Sequence, residues 1–155
     1  GKLGSFCGNG GRCIVAFAKQ LGIIDRKTVF AAYDGLHEAT IVDNVVSLSM
    51  ADVNQISVYP KHVFLDTGSP HHVAFVASTK KLDVPTQGAL IAHNETYGEE
   101  GSNVNFVSVD SEDHITVRTF ERGVEDETLS CGTGVTAAAL AAFSTDKIKL
   151  NHIQV

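Results

Sequence analysis

The chain has 155 residues, which fits one ordinary domain or two small ones. Hydrophobic residues make up 43% and charged residues 19%, so the chain can bury a core and is not expected to be disordered. Twelve Lys and Arg against 18 Asp and Glu leave a net charge of −6, which excludes nucleic acid as a partner. No apolar stretch approaches the roughly 18 residues of a membrane span, which excludes a membrane partner too.

The cysteines and the chain ends indicate where the protein works and how complete it is. Cys7, Cys13 and Cys131 are too few and too unevenly spaced for a disulfide framework. An odd count in an acidic chain is typical of reduced thiols, so we expect a cytoplasmic location. The chain opens without Met and closes on a strand-like segment, and we therefore expect a fragment of a longer protein.

The first predicted element is a helix. Its apolar side chains recur at helical spacing and form one stripe, made of Ile14, Phe17, Ala18 and Leu21. Gly22 follows directly and can take the left-handed conformation that ends a helix. The glycine-rich segment Cys7–Gly11 forms the turn that leads into this helix.

Strand signals follow in the first half of the sequence. The β-branched and aromatic stretches cover residues 28–33, 36–42, 45–50 and 56–59. Asp34-Gly35 reads as a tight turn, and Asp43-Asn44 predicts a hairpin between the second and third stretches. Pro60 ends the last of them.

The second half repeats this pattern. Residues 63–65 and 73–76 predict strands on either side of Asp66–His72, which is polar enough to be predicted as a loop. Residues 80–85 are predicted at the surface, and 89–93 as a short strand. An acidic turn then joins strands at 104–109 and 115–120. The Ala-rich stretch Val135–Phe143 predicts a helix that is buried on most faces.

Two Cys-Gly-X-Gly segments each open one of the two predicted helices. They start at Cys7 and Cys131, and each lies in a half that is rich in strands. This arrangement indicates an internal duplication. The sequence therefore predicts an α+β protein with two related halves. We expect residues 1–60 to form part of the N-terminal half, whose start would be missing, and residues 61–155 to form most of the C-terminal half, whose end would be missing.

A cysteine at the start of a helix has particular chemistry. The first backbone N–H groups of a helix are unpaired and carry partial positive charge, which favours a thiolate. Neighbouring glycines let a ligand approach the backbone, so the same N–H groups can hold a carboxylate. Inversion of a carbon that bears a hydrogen needs a base on one face and an acid on the other. Two opposed thiols supply both groups, and no cofactor motif is present.

These residues carry a resemblance to a known family. Cys7–Cys13 and Glu127–Gly134 resemble the two signature segments of the diaminopimelate epimerase family. Three further stretches resemble the family's motifs in order and spacing: Gly68–His71, Ser102–Phe106 and Glu121–Gly123. The resemblance implies cofactor-independent interconversion of LL- and meso-diaminopimelate, for lysine and peptidoglycan precursor synthesis. It also implies two halves, each with a mixed or antiparallel sheet around a central helix.

The resemblance also implies roles for individual residues. Cys7 and Cys131 would be catalytic. The α-carboxylate of the substrate would be bound by the residues that follow them, Gly8, Asn9, Gly132 and Thr133. Asn103 and Arg122 would bind the distal end of the substrate.

Three other positions complete the implied site. Glu121 would contact substrate and, with His71, bias the protonation of the thiols. Ser69 stands where the family usually has Asn, so its hydrogen bond to substrate would be shorter, water-mediated or absent.

Other interpretations of the cysteines stay open at this stage. Cys13 is predicted to be a packed core thiol, because it cannot share a helix face with Cys7. A zinc site is disfavoured because C-x5-C is not a usual chelating spacing, and we predict no metal. A related proline racemase-like isomerase is the alternative within the class. From other classes, a thiol redox protein would need a closer Cys pair, and a silent binding module would not need both thiols. A homodimer is compatible with the sequence.

Overall fold

The computed structural model describes residues 4–155, which form two sheets and three α-helices. The helices are α1 (Gly8–Gln20), α2 (Val84–Ala92) and α3 (Gly132–Ser144), and a 3₁₀ turn covers Gly98–Glu100. The strands are β1 (Lys27–Ala32), β2 (Gly35–Val42), β3 (Val45–Leu48), β4 (Ile56–Val58), β5 (Val63–Asp66), β6 (Pro70–Phe75), β7 (Asn103–Val109), β8 (Ile115–Glu121) and β9 (Asp126–Thr128).

The first sheet is an antiparallel meander of β1, β2 and β3. The predicted hairpin is confirmed, because Asp43 and Asn44 both take positive φ angles, 48° and 65°, as a primed two-residue turn requires. Helix α1 lies across this sheet, and Val15 packs there with Ala39 and Ile41.

The second sheet has six strands in the order β4-β5-β6-β7-β8-β9. All neighbours are antiparallel except β6 and β7, which pair in parallel because α2 lies in the connection between them. Helix α3 packs its alanines on one face of this sheet, and α2 packs beside Val104, Phe106 and Phe120 on the other. The α+β class with an antiparallel and a mixed sheet is confirmed. The change of sheet falls between β3 and β4, a few residues before Pro60.

One short segment differs from its predicted secondary structure. Residues 89–93 were expected as a strand but belong to the end of α2, which closes with His93 as its C-cap. Asp83 caps the start of this helix by accepting a hydrogen bond from the backbone N–H of Thr86. A short apolar run does not distinguish a strand from a buried helix by its periodicity, so the prediction was wrong.

The polar segment before residue 73 also differs from expectation. Pro70, His71 and His72 were assigned to a loop, yet they open β6, and both histidines are buried. Each ring is hydrogen-bonded: Nε2 of His71 contacts Oγ1 of Thr133 at 2.9 Å, and Nδ1 of His72 contacts the Tyr97 hydroxyl at 2.7 Å. Polar side chains with such partners can be buried at low cost, which composition alone does not reveal.

Helix α1 buries a different face from the predicted apolar stripe. Its buried residues are Gly8, Gly11 and Val15, which recur at helical spacing. Cys13 lies away from that face and is exposed, so its prediction as a core thiol was wrong. Among the described residues, Phe17 and Leu21 are also more than half exposed.

Within residues 4–155, no helix is both long enough and apolar enough to cross a bilayer.

Candidate active site

Cys7 and Cys131 occupy the same position at the starts of two different helices. Cys7 is the N-cap of α1 with φ −117° and ψ 106°, and Cys131 is the N-cap of α3 with φ −126° and ψ 105°. Both backbones are extended at the residue where the helix begins, as N-caps usually are. The predicted duplication of a thiol at a helix start is therefore present in the geometry.

The two helix starts touch each other at glycines. A Cβ atom placed on Gly8 would lie 3.2 Å from Cα of Gly132, and one placed on Gly132 would lie 3.1 Å from Cα of Gly8. Only residues without a Cβ allow the two backbones to approach this closely. Asn9 adds a polar link, because its Nδ2 donates to the carbonyl of Ser130 at 2.9 Å. The glycines thus bring the two thiols to one place.

A cavity of about 110 Å³ lies between these helix starts. It is lined by both cysteines, by the eight residues expected to bind substrate and by the pair that precedes Cys7, namely Ser5, Phe6, Cys7, Gly8, Asn9, Ser69, Asn103, Glu121, Arg122, Cys131, Gly132 and Thr133. Residues that are up to 128 positions apart in the chain therefore meet in one cleft.

A wider pocket of about 560 Å³ lies beside the cleft. Ser5, Ser69 and Arg122 line both spaces. The Arg122 guanidinium donates from Nη1 to the carbonyl of Glu100 at 2.9 Å and from Nη2 to Oγ of Ser5 at 3.3 Å. Among residues 4–155, its other N–H groups have no acceptor, so they can bind an anion in the wider pocket.

The amide of Asn103 is used within the protein. Its Nδ2 donates to Oγ of Ser69 at 2.8 Å and to the carbonyl of Pro70 at 3.1 Å, and its Oδ1 accepts from the Arg122 backbone N–H at 3.1 Å. Asn103 is 3% exposed. It lines the cleft as expected, but its hydrogen bonds hold Ser69 and Arg122 in position.

The family model named "Diaminopimelate epimerase" matches residues 63–155, which is more than half of the chain. The chain belongs to the diaminopimelate epimerase family. A diaminopimelate epimerase of Flavobacterium psychrophilum is 52% identical over the whole of this chain, and one of Chlorobaculum tepidum is 43% identical over 98% of it. The chain spans 61% and 62% of the lengths of these two relatives.

Solved structures show the same fold at lower sequence identity. A hydroxyproline epimerase from Agrobacterium vitis aligns with a TM-score of 0.66 and 17% identity, covering 92% of this chain and 53% of the other. A probable proline racemase from Agrobacterium radiobacter aligns with a TM-score of 0.64 and 19% identity over the same shares. At such identities the likeness concerns the fold alone.

The two thiols of this diaminopimelate epimerase family member differ in their surroundings. Cys7 is exposed, and its Sγ accepts a hydrogen bond from the backbone N–H of Gly10 at 3.3 Å. Cys131 is only 7% exposed, and burial raises the pKa of its thiol. The Thr133 hydroxyl, 3.5 Å from Sγ, acts against this rise. Burial therefore favours the protonated form of Cys131.

His71 lies behind Cys131 and does not line the cleft itself. It is fully buried, and burial together with the nearby charge of Arg122 lowers the pKa of its ring to about 3. The ring is consequently neutral near pH 7. Its link to Cys131 runs through Oγ1 of Thr133.

Several polar residues behind the cleft were not predicted from the sequence. Asn105 hydrogen-bonds the His71 ring at 2.9 Å, and Thr67 donates to the carbonyl of Thr133 at 2.9 Å. Asn105 lies two residues after Asn103 on the same strand, so alternation along β7 could have identified it. Thr67 carries no comparable signal.

In the described part of the chain, no group of three or more His, Cys, Asp or Glu is arranged to hold a metal ion.

Proposed function

We propose that this protein epimerises LL-2,6-diaminopimelate to meso-diaminopimelate without a cofactor. One observation carries the proposal: two cysteines cap two helices whose first turns touch at Gly8 and Gly132. A carbon held between the two sulfur atoms would have a thiolate on one face and a thiol on the other. That is the arrangement that inversion by proton transfer requires.

The different surroundings of the thiols support different roles for them. Cys7, which is exposed and accepts the Gly10 N–H, acts as the thiolate that removes the α-hydrogen as a proton. Cys131, whose pKa is raised by burial, acts as the thiol that donates its proton to the opposite face. Each turnover leaves Cys7 as a thiol and Cys131 as a thiolate. Exchange of one proton at each sulfur with solvent restores the starting state.

The α-carboxylate is proposed to lie against the starts of both helices. Gly8, Asn9, Gly132 and Thr133 line the cleft there, and the first N–H groups of a helix carry partial positive charge. Removal of the α-hydrogen develops negative charge next to this carboxylate, and the same N–H groups stabilise it. Glu121 lines the cleft as well and is proposed to bind the α-amino group.

The distal amino-acid end is proposed to extend past Arg122 into the wider pocket. Arg122 lines both spaces, and within the described residues some of its N–H groups have no protein acceptor and can bind a carboxylate. Asn103 is proposed to hold Arg122 and Ser69 in position for this contact. Ser69 is shorter than the usual Asn, which leaves room for a water molecule between it and the substrate.

The relatives favour diaminopimelate over proline as the substrate. Proteins that are 38–52% identical to this chain bear the name diaminopimelate epimerase, whereas the proline-type enzymes share 17–19% identity. The wider pocket beside Arg122 also suits a substrate with a second charged end, which proline lacks.

The proposal includes a cytoplasmic location and a homodimer. Two thiols that must cycle between thiol and thiolate need a compartment that keeps them reduced, which supports the cytoplasm. The exposed Phe17 and Leu21 side chains are compatible with a second copy. Fractionation of the source cells tests the location, and light scattering of the full-length protein tests the dimer.

Solvent isotope incorporation tests the two-thiol mechanism. The full-length protein is incubated with LL-diaminopimelate in deuterated water and stopped within one turnover. The meso product is expected to carry deuterium at the inverted carbon, because Cys131 exchanges with solvent before it donates. Product that retains mainly the original hydrogen would exclude two thiols, and turnover that survives alkylation of the cysteines would exclude their role. L-Proline serves as the matched control substrate and is expected to show no exchange.

A further inference from the structure

A line of buried hydrogen bonds connects β8 to the sulfur of Cys131. Oγ1 of Thr119 donates to Oδ1 of Asn105 at 2.9 Å, and Nδ2 of Asn105 lies 2.9 Å from Nδ1 of His71. Nε2 of His71 lies 2.9 Å from Oγ1 of Thr133, and this oxygen lies 3.5 Å from Sγ of Cys131. Asn105 and His71 are completely buried. The series ends on the thiol that the proposed function makes the proton donor.

The amide of Asn105 can take only one orientation in this line. Its Nδ2 also faces the backbone carbonyl of His72 at 3.2 Å, and a carbonyl oxygen can only accept. The nitrogen must therefore point toward β6 and the oxygen toward Thr119. Gly134 in α3 leaves the space for that oxygen, because a Cβ there would lie 2.4 Å from Oδ1.

The orientation of this amide determines where the proton of His71 lies. Nδ1 faces an N–H donor and must accept, so a neutral ring carries its hydrogen on Nε2. Nε2 then donates to Oγ1 of Thr133. With that lone pair occupied, the hydroxyl hydrogen of Thr133 is directed to Sγ of Cys131. Every group in the line thus donates toward the sulfur.

We infer that Asn105 is a positioning residue that fixes the His71 tautomer and, through Thr133, directs a hydrogen bond onto Cys131. The inference rests on the proposed function for its role in catalysis, since Cys131 becomes a buried thiolate after each turnover. Cys7 receives a backbone N–H from Gly10. At Cys131, the Thr133 hydroxyl adds a side-chain donor to the backbone N–H of Gly134, which also acts on this thiol.

Charged groups around the line act on its two ends. Burial raises the pKa of the Cys131 thiol, and Glu121 and Cys7 raise it further. A hydrogen bond donated to Sγ lowers this pKa and so acts against all three. Arg122 disfavours a second proton on His71. The ring therefore stays neutral, which the single-tautomer argument requires.

The first test observes the tautomer directly in the full-length protein. Long-range ¹H–¹⁵N correlation spectra of the histidine rings distinguish a protonated ring nitrogen from a bare one. We expect His71 to show a protonated Nε2 and a bare Nδ1. A proton on Nδ1 in the unsubstituted protein would overturn the inference without any variant.

The second test measures each thiol separately through the pH dependence of its alkylation. Cys131 is followed in a Cys7→Ala, Cys13→Ala background, and Cys7 in a Cys131→Ala, Cys13→Ala background. Asn105→Leu is expected to move the Cys131 midpoint up by about one pH unit, because a hydrogen bond to a charged sulfur is lost. The Cys7 midpoint is expected to stay in place. Equal shifts of both midpoints, or no shift of either, would contradict the inference.

Two further variants separate positioning from folding. Thr133→Val removes the last donor and is expected to move the Cys131 midpoint in the same way, while His71 keeps its proton on Nε2. Ser108→Ala removes a buried hydroxyl from the opposite face of the same strand and is expected to move neither midpoint. If Asn105→Leu does not fold, Thr133→Val and the unsubstituted spectrum decide the question. A protein with the expected spectrum and midpoints that does not epimerise diaminopimelate would overturn the proposed function alone.

Discussion

The starts of α1 and α3 share a sequence motif and a backbone conformation but differ in what surrounds the sulfur. Both open with Cys-Gly, and their N-cap φ angles differ by only 9°, from −117° to −126°. Cys7 is exposed and accepts a backbone N–H, whereas Cys131 is buried in front of His71. The local motif brings a thiol to the cleft. Burial then favours the protonated form of Cys131.

The largest expected effect comes from removing either thiol. Cys7→Ala and Cys131→Ala should each lower kcat of the full-length protein roughly 10³-fold or more, because positioned acid and base groups act as a unit. Cys13→Ala is the control and should cost little, since its side chain lies outside the cleft. Exchange of the α-hydrogen of LL-diaminopimelate with solvent distinguishes the roles of the two thiols. Cys131→Ala should still exchange the α-hydrogen with deuterated water, and Cys7→Ala should not; the reverse result would exchange the assigned roles.

A smaller effect is expected from separating the two helix starts. Gly8→Ala places a Cβ 3.2 Å from the Cα of Gly132 and should push the thiols apart by a few tenths of an ångström. Misplacement by up to about 1 Å can cost about 10²-fold in rate, and kcat should fall within that range while the fold is kept. Gly10→Ala is matched to it in the same helix turn, with its nearest contact at 3.6 Å, and should lose much less. Equal losses in the two variants would mean that the Gly8–Gly132 contact does not set the geometry.

The smallest expected effect is on stability at acid pH, and it comes from His71, which lies behind Cys131. The pKa of His71 is about 3 in the folded protein, below the ordinary value of 6.5. Between these values the unfolded chain binds a proton that the folded protein does not, so stability falls as pH drops below about 6.5. From pH 7 to pH 5 this amounts to about 2 kcal/mol for one such group.

Denaturant unfolding at the two pH values measures this loss. His71→Gln should lose about 2 kcal/mol less than the unsubstituted protein between pH 7 and pH 5. The exposed His152→Gln is the control and should leave the difference unchanged. The pKa of His72 is lowered to about 4, so part of the acid sensitivity should persist in both variants. An unaltered pH dependence in His71→Gln would show that this ring is not neutral in the folded protein.

Much of this architecture could be predicted because its signals are local. Asp43-Asn44 identified the first hairpin, and the Cys-Gly starts identified both long helices. The line from Asn105 to Cys131 could not be predicted, because it joins β7, β6 and α3 across 62 residues between His71 and Thr133. The side chains of His71 and Asn105 are neighbours because β6 and β7 pair in parallel.

The burial of individual side chains could not be predicted from local sequence patterns either. His71 and His72 look like loop residues until their partners are known, and Cys13 looks like a core thiol until the packed face of α1 is known. In each case the deciding contact comes from a different element. Residue type and spacing therefore indicated which residues line the cleft, but not how deeply a side chain is buried or what it contacts.

The hydrogen bond from Asn9 to the Ser130 carbonyl spans 121 residues and joins the two halves. Closing so long a loop has a large entropy cost, which is met only after each sheet has its own local contacts. Assembly of the cleft should therefore be a late event in folding and among the first to reverse. We expect activity to be lost at lower denaturant concentrations than the far-ultraviolet circular dichroism of the sheets. Coincident transitions would instead make the two halves one cooperative unit. If activity is lost first, as expected, the protein becomes active only when the last part of its fold has formed.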